Sequence, residues 1–335
     1  MTSIQHLVIR APNWLGDAVM ALPAMAAVRA AHPTARLAVA AIPSIAPLFL
    51  ETTSAQPNDV VTVDGSREAN QLKEGGHDAI VLLPNSFRSA WNARRAGIGE
   101  RWGFAAGFRS PLLTRRVNRP RGHLHQADYY RALVTGLGMP ATSELPRVRV
   151  TRRTEQRAAT LLGELQVPDG AGIVGLAPGA AYGHAKRWPP SRVAELITRL
   201  ARERDAVCVM VGAAADREAG REIESLLPAG VRAVNVIGRT DLRVFAGVLA
   251  RCRSFVSNDS GAMHLAAALG VPVTAIFGPT DERATAPLGD HDVIQHQVFC
   301  RPCMLRECPI DHRCMKRIGV DRVFDSVSRL LGAGA

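Results

Sequence analysis

The sequence predicts an α/β protein built as two halves, each a parallel sheet covered by helices. Three observations carry that prediction. A length of 335 residues exceeds what one hydrophobic core comfortably serves. Short apolar runs alternate with helical patterns through both halves, the mark of parallel sheets with helical crossovers. Between the two series, from Met139 to Val150, the pattern lapses into Pro, Ser and Thr, which predicts a linker.

In the first half, His6-Leu7-Val8-Ile9 reads as a strand, Pro12 to Gly16 as a turn, and Asp17 to Ala31 as a helix. Strands follow at Arg36 to Ile42, Asp59 to Val63 and Ala79 to Leu83. In the second half, Glu155 to Leu165 reads as a helix and Gly172 to Ala177 as a strand. A glycine-rich loop then leads into a helix from about Pro190 to Glu203. Val207 to Val211, Val234 to Ile237, Phe255 to Ser257 and Val273 to Phe277 supply further strands. Open parallel sheets bind ligands beyond the carboxyl ends of their strands, so two such halves imply a cleft between them as the place for chemistry.

Composition narrows the class. Apolar residues make up 47% of the chain and charged residues 21%, which excludes disorder, collagen and coiled coil. The apolar stretch Ala18 to Val28 holds a proline and falls far short of the roughly 20 residues of a membrane span. Met1 to Arg10 lacks the basic lead-in and apolar run of a signal peptide, so a cytoplasmic location with reduced thiols is expected. The net charge is +11, and one stretch carries all of it. Arg88 to Arg153 holds 14 arginines, no lysine and only three acids, Glu100, Asp128 and Glu144. Such a stretch is either a solvated basic surface or a patch facing phosphates of a nucleic acid, lipid headgroup or substrate.

Three strand-to-helix turns hold residues suited to chemistry. Asn13-Trp14-Leu15-Gly16-Asp17 follows the first strand. Gly16 permits a tight turn, and Asp17 is either a helix N-cap or a carboxylate available as general base. The turn is not a G-x-G-x-x-G dinucleotide fingerprint, which disfavours a nicotinamide enzyme. The second turn, Pro178 to Pro189, contains Gly179 and ends in the adjacent cations Lys186 and Arg187 before Trp188. A point charge beside a planar fork suits phosphate oxygens. The third runs from Ser257 through Asn258, Asp259, Ser260 and Gly261 to His264, and its helix start makes an anion site. Asp259 there either caps, orients a sugar hydroxyl or holds a neighbouring cation. Finally, Cys300, Cys303, Cys308 and Cys314 fall within fifteen residues, either a metal or redox cluster or a merely structural one.

Taken together, Pro12-Asn13-Trp14-Leu15-Gly16-Asp17, Lys186-Arg187-Trp188-Pro189 and Asn258-Asp259-Ser260-Gly261-Ala262-Met263-His264, followed by Phe277-Gly278-Pro279-Thr280, resemble glycosyltransferase family 9. The resemblance spans about residues 6 to 330. It implies a GT-B architecture, two Rossmann-like domains facing across a central cleft: residues 1–150 for the acceptor and 151–335 for the nucleotide sugar, with a final helix (about 320–331) able to pack back on the first. It implies inverting transfer of L-glycero-D-manno-heptose from ADP-heptose to the heptose/Kdo inner core of lipopolysaccharide, the second heptose in particular. Kdo2-lipid A or heptosyl-Kdo2-lipid A would be the acceptor, at the cytoplasmic face of the inner membrane with peripheral association. By the same resemblance Asp17 is the catalytic base and Lys186 the diphosphate-binding lysine. Gly179, Lys186, Arg187, Asp259, Ser260, Gly261 and His264 contact ADP-heptose, with Gly212 and Asp216 as a looser match at adenosine. Asn13, Trp14 and Gly16 fall on the acceptor side. No cofactor or metal is expected, since lysine charge and helix dipole can stabilise the leaving group. The alternatives are addition of the first or third heptose, another sugar transfer of the family, or, in a different class, a basic nucleic-acid-binding protein. The last lacks the recognition motifs and aromatic interleaving of that class.

Overall fold

The structure is a computed structural model and describes residues 4–140, 143–180 and 183–333. Ala181 and Tyr182 of the second motif loop, and residues 141–142 of the expected linker, lie outside them. The chain divides into two units, Met1–Arg149 and Val150–Ala335.

The first unit carries strands β1 (His6–Arg10), β2 (Arg36–Ala41), β3 (Thr52–Thr53), β4 (Asp59–Thr62), β5 (Ala79–Leu82), β6 (Glu100–Ala105), β7 (Arg115–Asn118) and β8 (Val148–Arg149). Its helices are α1 (Leu15–Met20), α2 (Leu22–Ala31), α3 (Glu68–Glu74), α4 (Phe87–Arg95) and α5 (Gln126–Gly136). Six strands form one parallel sheet in the order β4-β2-β1-β5-β6-β7. Strand order therefore reverses between β1 and β5, the topological switch point of a doubly wound sheet. Leu7 to Arg10 and all of β5 are buried, as expected of strands covered on both faces.

The second unit repeats this plan. Its strands are β9 (Ile173–Ala177), β10 (Val207–Met210), β11 (Val234–Asn235), β12 (Ser254–Asn258), β13 (Val273–Phe277) and β14 (His291–Gln295). Its helices are α6 (Arg152–Glu164), α7 (Pro190–Arg204), α8 (Arg217–Ser225), α9 (Leu242–Ala250), α10 (Gly261–Ala268), α11 (Glu282–Thr285), α12 (Arg313–Lys316) and α13 (Val320–Ala333). The parallel sheet runs β11-β10-β9-β12-β13-β14, with its switch point between β9 and β12. Both units are thus Rossmann-like, doubly wound parallel sheets covered by helices.

Three expectations need correction, and the final helix can be placed within its own unit. The helix expected over residues 17–31 starts at Leu15 and breaks at Ala21, because Pro23 has no amide for the Val19 carbonyl. The linker is not wholly irregular: Val148–Arg149 pairs antiparallel with Thr52–Thr53. Strands β6, β7 and β14 were not expected, because β7 and β14 are rich in charged and polar residues and the short apolar run of β6 is interrupted by Gly103. The last helix spends its apolar face inside the second unit: Val320, Val323, Phe324 and Val327 join the core of Leu176, Ile197 and Ile276. Ser326 Oγ lies 2.8 Å from Thr274 Oγ1 and donates to Asp292 at 2.7 Å, fastening that helix to β13 and β14.

Candidate active site

In the first unit the switch point carries the loop from β1 into α1. Arg10, the last residue of β1, is buried, and its Nε donates to Glu68 Oε1 at 2.7 Å. Asn92 Nδ2 donates to the other Glu68 oxygen at 3.1 Å. A second nitrogen of Arg10 donates to Asn13 Oδ1 at 3.0 Å, so a buried ion pair sets the turn that precedes α1. Trp14 is 59% exposed, Asn13 is exposed and Gly16 is buried.

Asp17 is not the N-cap of α1: Trp14 occupies that position, and Asp17 is the third helical residue. Burial raises its carboxyl above the ordinary range, and a hydrogen bond from the Tyr130 hydroxyl partly offsets this. Tyr130, on α5, is buried and its own ionisation is pushed well up, mainly by burial. A half-buried carboxylate held by one phenol is suited to accepting a proton. Tyr130 was missed by sequence reasoning because it lies more than a hundred positions from Asp17.

The arginine stretch proves mixed. Arg109 is fully buried, donating to the carbonyls of Phe104 (2.9 Å) and Pro84 and to Asn85 Oδ1 (3.3 Å). Burial pulls its guanidinium down to about 10. Arg101 and Arg115 likewise fasten backbone carbonyls at Leu112 and Leu137. Arg88, Arg94, Arg95, Arg116, Arg119 and Arg121 remain exposed. Structural fasteners thus account for part of the charge excess, and exposed arginines for the rest.

In the second unit the loops leaving β9 and β12, either side of the switch point, bring Lys186 and Asp259 together. Lys186 Nζ lies 2.5 Å from Asp259 Oδ2, with the two side chains 10% and 8% exposed. Thr280 Oγ1, in the loop after β13, donates to the same carboxylate oxygen at 2.7 Å. Of the roles open to Asp259, holding a neighbouring cation is the one observed. Asn258 ties the two loops: its Nδ2 donates to the Pro178 carbonyl at 2.8 Å, and its Oδ1 accepts from Trp188 N at 3.2 Å. Thr280 and Asn258 belong to the motif strings, but nothing local in the sequence marks them as partners of the other loops.

Ser260 occupies the N-cap of α10 yet makes no side-chain capping bond; its hydroxyl sits 3.0 Å from Ser257 Oγ. The first-turn amides, beginning at Gly261, therefore present partial positive charge next to the Lys186–Asp259 pair. His264, one turn further on, is buried. Such a helix start beside a lysine can accept a diphosphate.

Asp216, the looser match at adenosine, is engaged by the loops themselves. Its Oδ2 accepts from Ala213 N at 3.1 Å, and its Oδ1 meets Arg187 at 3.4 Å. Gly179 and Gly212 make room for that carboxylate: a Cβ on Gly179 would fall 2.1 Å from Asp216 Cγ, and one on Gly212 3.1 Å from Oδ2. Asp216 therefore shapes the loops around Lys186 and Arg187. The one G-x-G-x-x-G string, Gly170 to Gly175, leads into β9 instead of from a strand into a helix, so it is no dinucleotide turn.

Among the described residues no three His, Cys, Asp or Glu side chains are gathered at metal-binding distance. No described helix is long and apolar enough to cross a membrane.

Comparison with known proteins places this geometry. The profile of the family described as "Glycosyltransferase family 9 (heptosyltransferase)" matches residues 66–313. The lipopolysaccharide heptosyltransferase 2 of Salmonella typhimurium is 31% identical, over 84% of this chain and 85% of that protein. The solved structure of the Escherichia coli ADP-heptose lipopolysaccharide heptosyltransferase II superposes with a TM-score of 0.84 at 29% identity, covering 98% of this chain and 99% of that one. A family 9 glycosyl transferase from Veillonella parvula shares the fold with a TM-score of 0.85 at 20% identity, each chain 99% covered.

Proposed function

The chain belongs to glycosyltransferase family 9, and from that premise we propose that it moves L-glycero-D-manno-heptose from ADP-heptose onto the heptose/Kdo inner core of lipopolysaccharide, adding the second heptose. The observation that carries this reading is the buried Lys186–Asp259–Thr280 cluster beside the uncapped start of α10, in a chain whose relatives are named for heptose transfer. The second unit takes the donor and the first the acceptor.

In this reading the α10 amides and Ser260 receive the ADP diphosphate, and Lys186 shares its charge between Asp259 and the leaving phosphate oxygen. Asp259 and Thr280 fix the ammonium; Asp216, Gly179 and Gly212 hold the loop that presents Lys186 and Arg187. His264 supports the first turn of α10. Asp17 takes the proton from the acceptor hydroxyl as that oxygen bonds the anomeric carbon, and the bond from that carbon to phosphate breaks on the opposite face, releasing ADP. Asn13, Trp14 and Gly16 shape the acceptor side. A carboxylate raised by burial is a stronger base once ionised. The leaving-group charge is met by an ammonium and a helix dipole, which act directly on the departing phosphate oxygen.

The acceptor is a glycolipid, and we place the protein peripherally on the inner face of the inner membrane. Supporting this, the exposed side of α4 presents Phe87, Arg88, Trp91, Arg94 and Arg95 with no acid, and its two aromatic rings stack at 6.2 Å. Reversing the charge of Arg88, Arg94 and Arg95 is expected to weaken binding to anionic vesicles and use of the lipid acceptor more than ADP binding; equal losses would contradict it. The decisive experiment incubates the protein with ADP-heptose and defined truncated lipopolysaccharides, following ADP release and product mass. Product on the mono-heptosyl acceptor supports the reading. Transfer only to the heptose-free acceptor reassigns it to the first heptose, and no transfer to either defeats it.

A further inference from the structure

The proposed transfer leaves Cys300, Cys303, Cys308 and Cys314 without a part. Their spacing is C-x2-C-x4-C-x5-C, and all four line one small, mostly enclosed cavity with Ala185 and Pro279 among its walls. None forms a disulfide. The His312 amide donates to Cys308 Sγ at 3.3 Å. The segment turns back on itself through Met304 and His312, both in the left-handed region at φ +58° and +57°. Such left-handed turns at non-glycine residues are uncommon and hold the four cysteines around one cavity.

We propose that these four cysteines bind one thiophilic divalent cation, zinc or ferrous iron, as a tetrathiolate, and that the site clamps the loops holding Lys186 and Thr280. Four close thiols with a C-x2-C pair are the donor set of structural zinc and mononuclear iron sites. Binding converts four thiols to thiolates, releases four protons and leaves a net charge of −2, in a cavity whose walls also hold the Arg313–Asp311 ion pair. The sulfurs are not pre-gathered at ligand distance. Structural sites seldom exist before the metal, and their closure is part of the binding free energy.

The clamp follows from the backbone contacts of the same segment. The Ala185 amide donates to the Arg306 carbonyl at 3.0 Å, and the Met304 amide donates to the Pro279 carbonyl at 2.9 Å. Gly183 packs so tightly on Arg306 that a Cβ would lie 2.4 Å from its carbonyl oxygen. Ala185 adjoins Lys186 and Pro279 adjoins Thr280, the two partners of Asp259. Ordering the cysteine loop therefore orders both sides of that cluster. The link to donor binding rests on the function proposed above; metal binding does not.

The test uses the full chain purified without oxygen. Metal analysis is expected to give about one zinc or iron per chain, and the stripped, reduced protein is expected to take up Co2+ with the intense visible and near-ultraviolet bands of a tetrahedral cobalt thiolate. Cys303→Ser and Cys300→Ser should each weaken uptake by about tenfold or more, whereas Cys252→Ala, elsewhere in the unit, should not. Hydrogen exchange at the Ala185 and Met304 amides should slow on metal addition. Failure of the folded, reduced protein to bind zinc, iron or cobalt overturns the proposal, as do unchanged uptake in the serine variants or a mass four hydrogens light, which would mean two disulfides. Metal uptake without slowed exchange removes the clamp, and metal uptake in a protein inactive with every heptose acceptor defeats only the proposed function.

Discussion

Replacing Asp259 by Asn keeps the side-chain shape and removes the counter-charge of a lysine that is nearly out of water. The pair is short, 2.5 Å, with side chains 10% and 8% exposed, and Thr280 adds a donor at 2.7 Å. Removing one partner of a buried pair costs about 3–5 kcal/mol, because the other charge stays desolvated. A domain the size of the second unit loses about 2–4 °C per kcal/mol, so its melting point should fall by roughly 6–20 °C. The Asn amide can still accept from Thr280, which favours the lower end. Lys186→Met should behave similarly, while Lys186→Met with Asp259→Leu should cost less than the two single changes summed, since neither charge is then stranded. Thermal scans at low and high salt supply the readout, and a buried pair should respond little to salt. Single variants melting within about 1 °C of the parent would refute the buried-pair account.

Three further outcomes follow from the geometry. Asp17→Asn should lower turnover by about 10²–10⁴-fold while leaving ADP binding intact. Because burial raises the Asp17 carboxyl, its ionisation opposes folding once pH rises through the folded value; the Asn variant should therefore be at least as stable as the parent at pH 7, and near-parental turnover would end the base assignment. Tyr130→Phe removes the hydrogen bond that lowers that carboxyl, so the acid limb of the kcat/KM profile should move to higher pH; a limb that stays put would show that Asp17 does not govern it. Gly179→Ala places a Cβ 2.1 Å from Asp216 Cγ, and is expected to cost about 1–3 kcal/mol of stability and to raise the donor KM, with Asp216→Gly in the same chain restoring much of the stability.

What could be read from the chain alone was whatever is encoded locally. Apolar runs such as Leu7 to Ile9 and Val273 to Phe277 announce buried parallel strands, and the residues that follow them announce the turns at sheet ends where ligands bind. For that reason Asp17, Lys186 and Asp259 were legible as candidates, and the family with them. Pairing was not legible, because it depends on which strands become neighbours. Only adjacency of β9 and β12 tells Asp259 to meet Lys186, and only the packing of α5 against α1 gives Asp17 its Tyr130. Charge was the least informative signal: Arg109 is fully buried among carbonyl oxygens while Arg88 is exposed on α4, and composition weighs them alike. Burial and partner choice are properties of the folded sheet order, since desolvation and hydrogen-bond geometry act between residues that the sequence holds far apart.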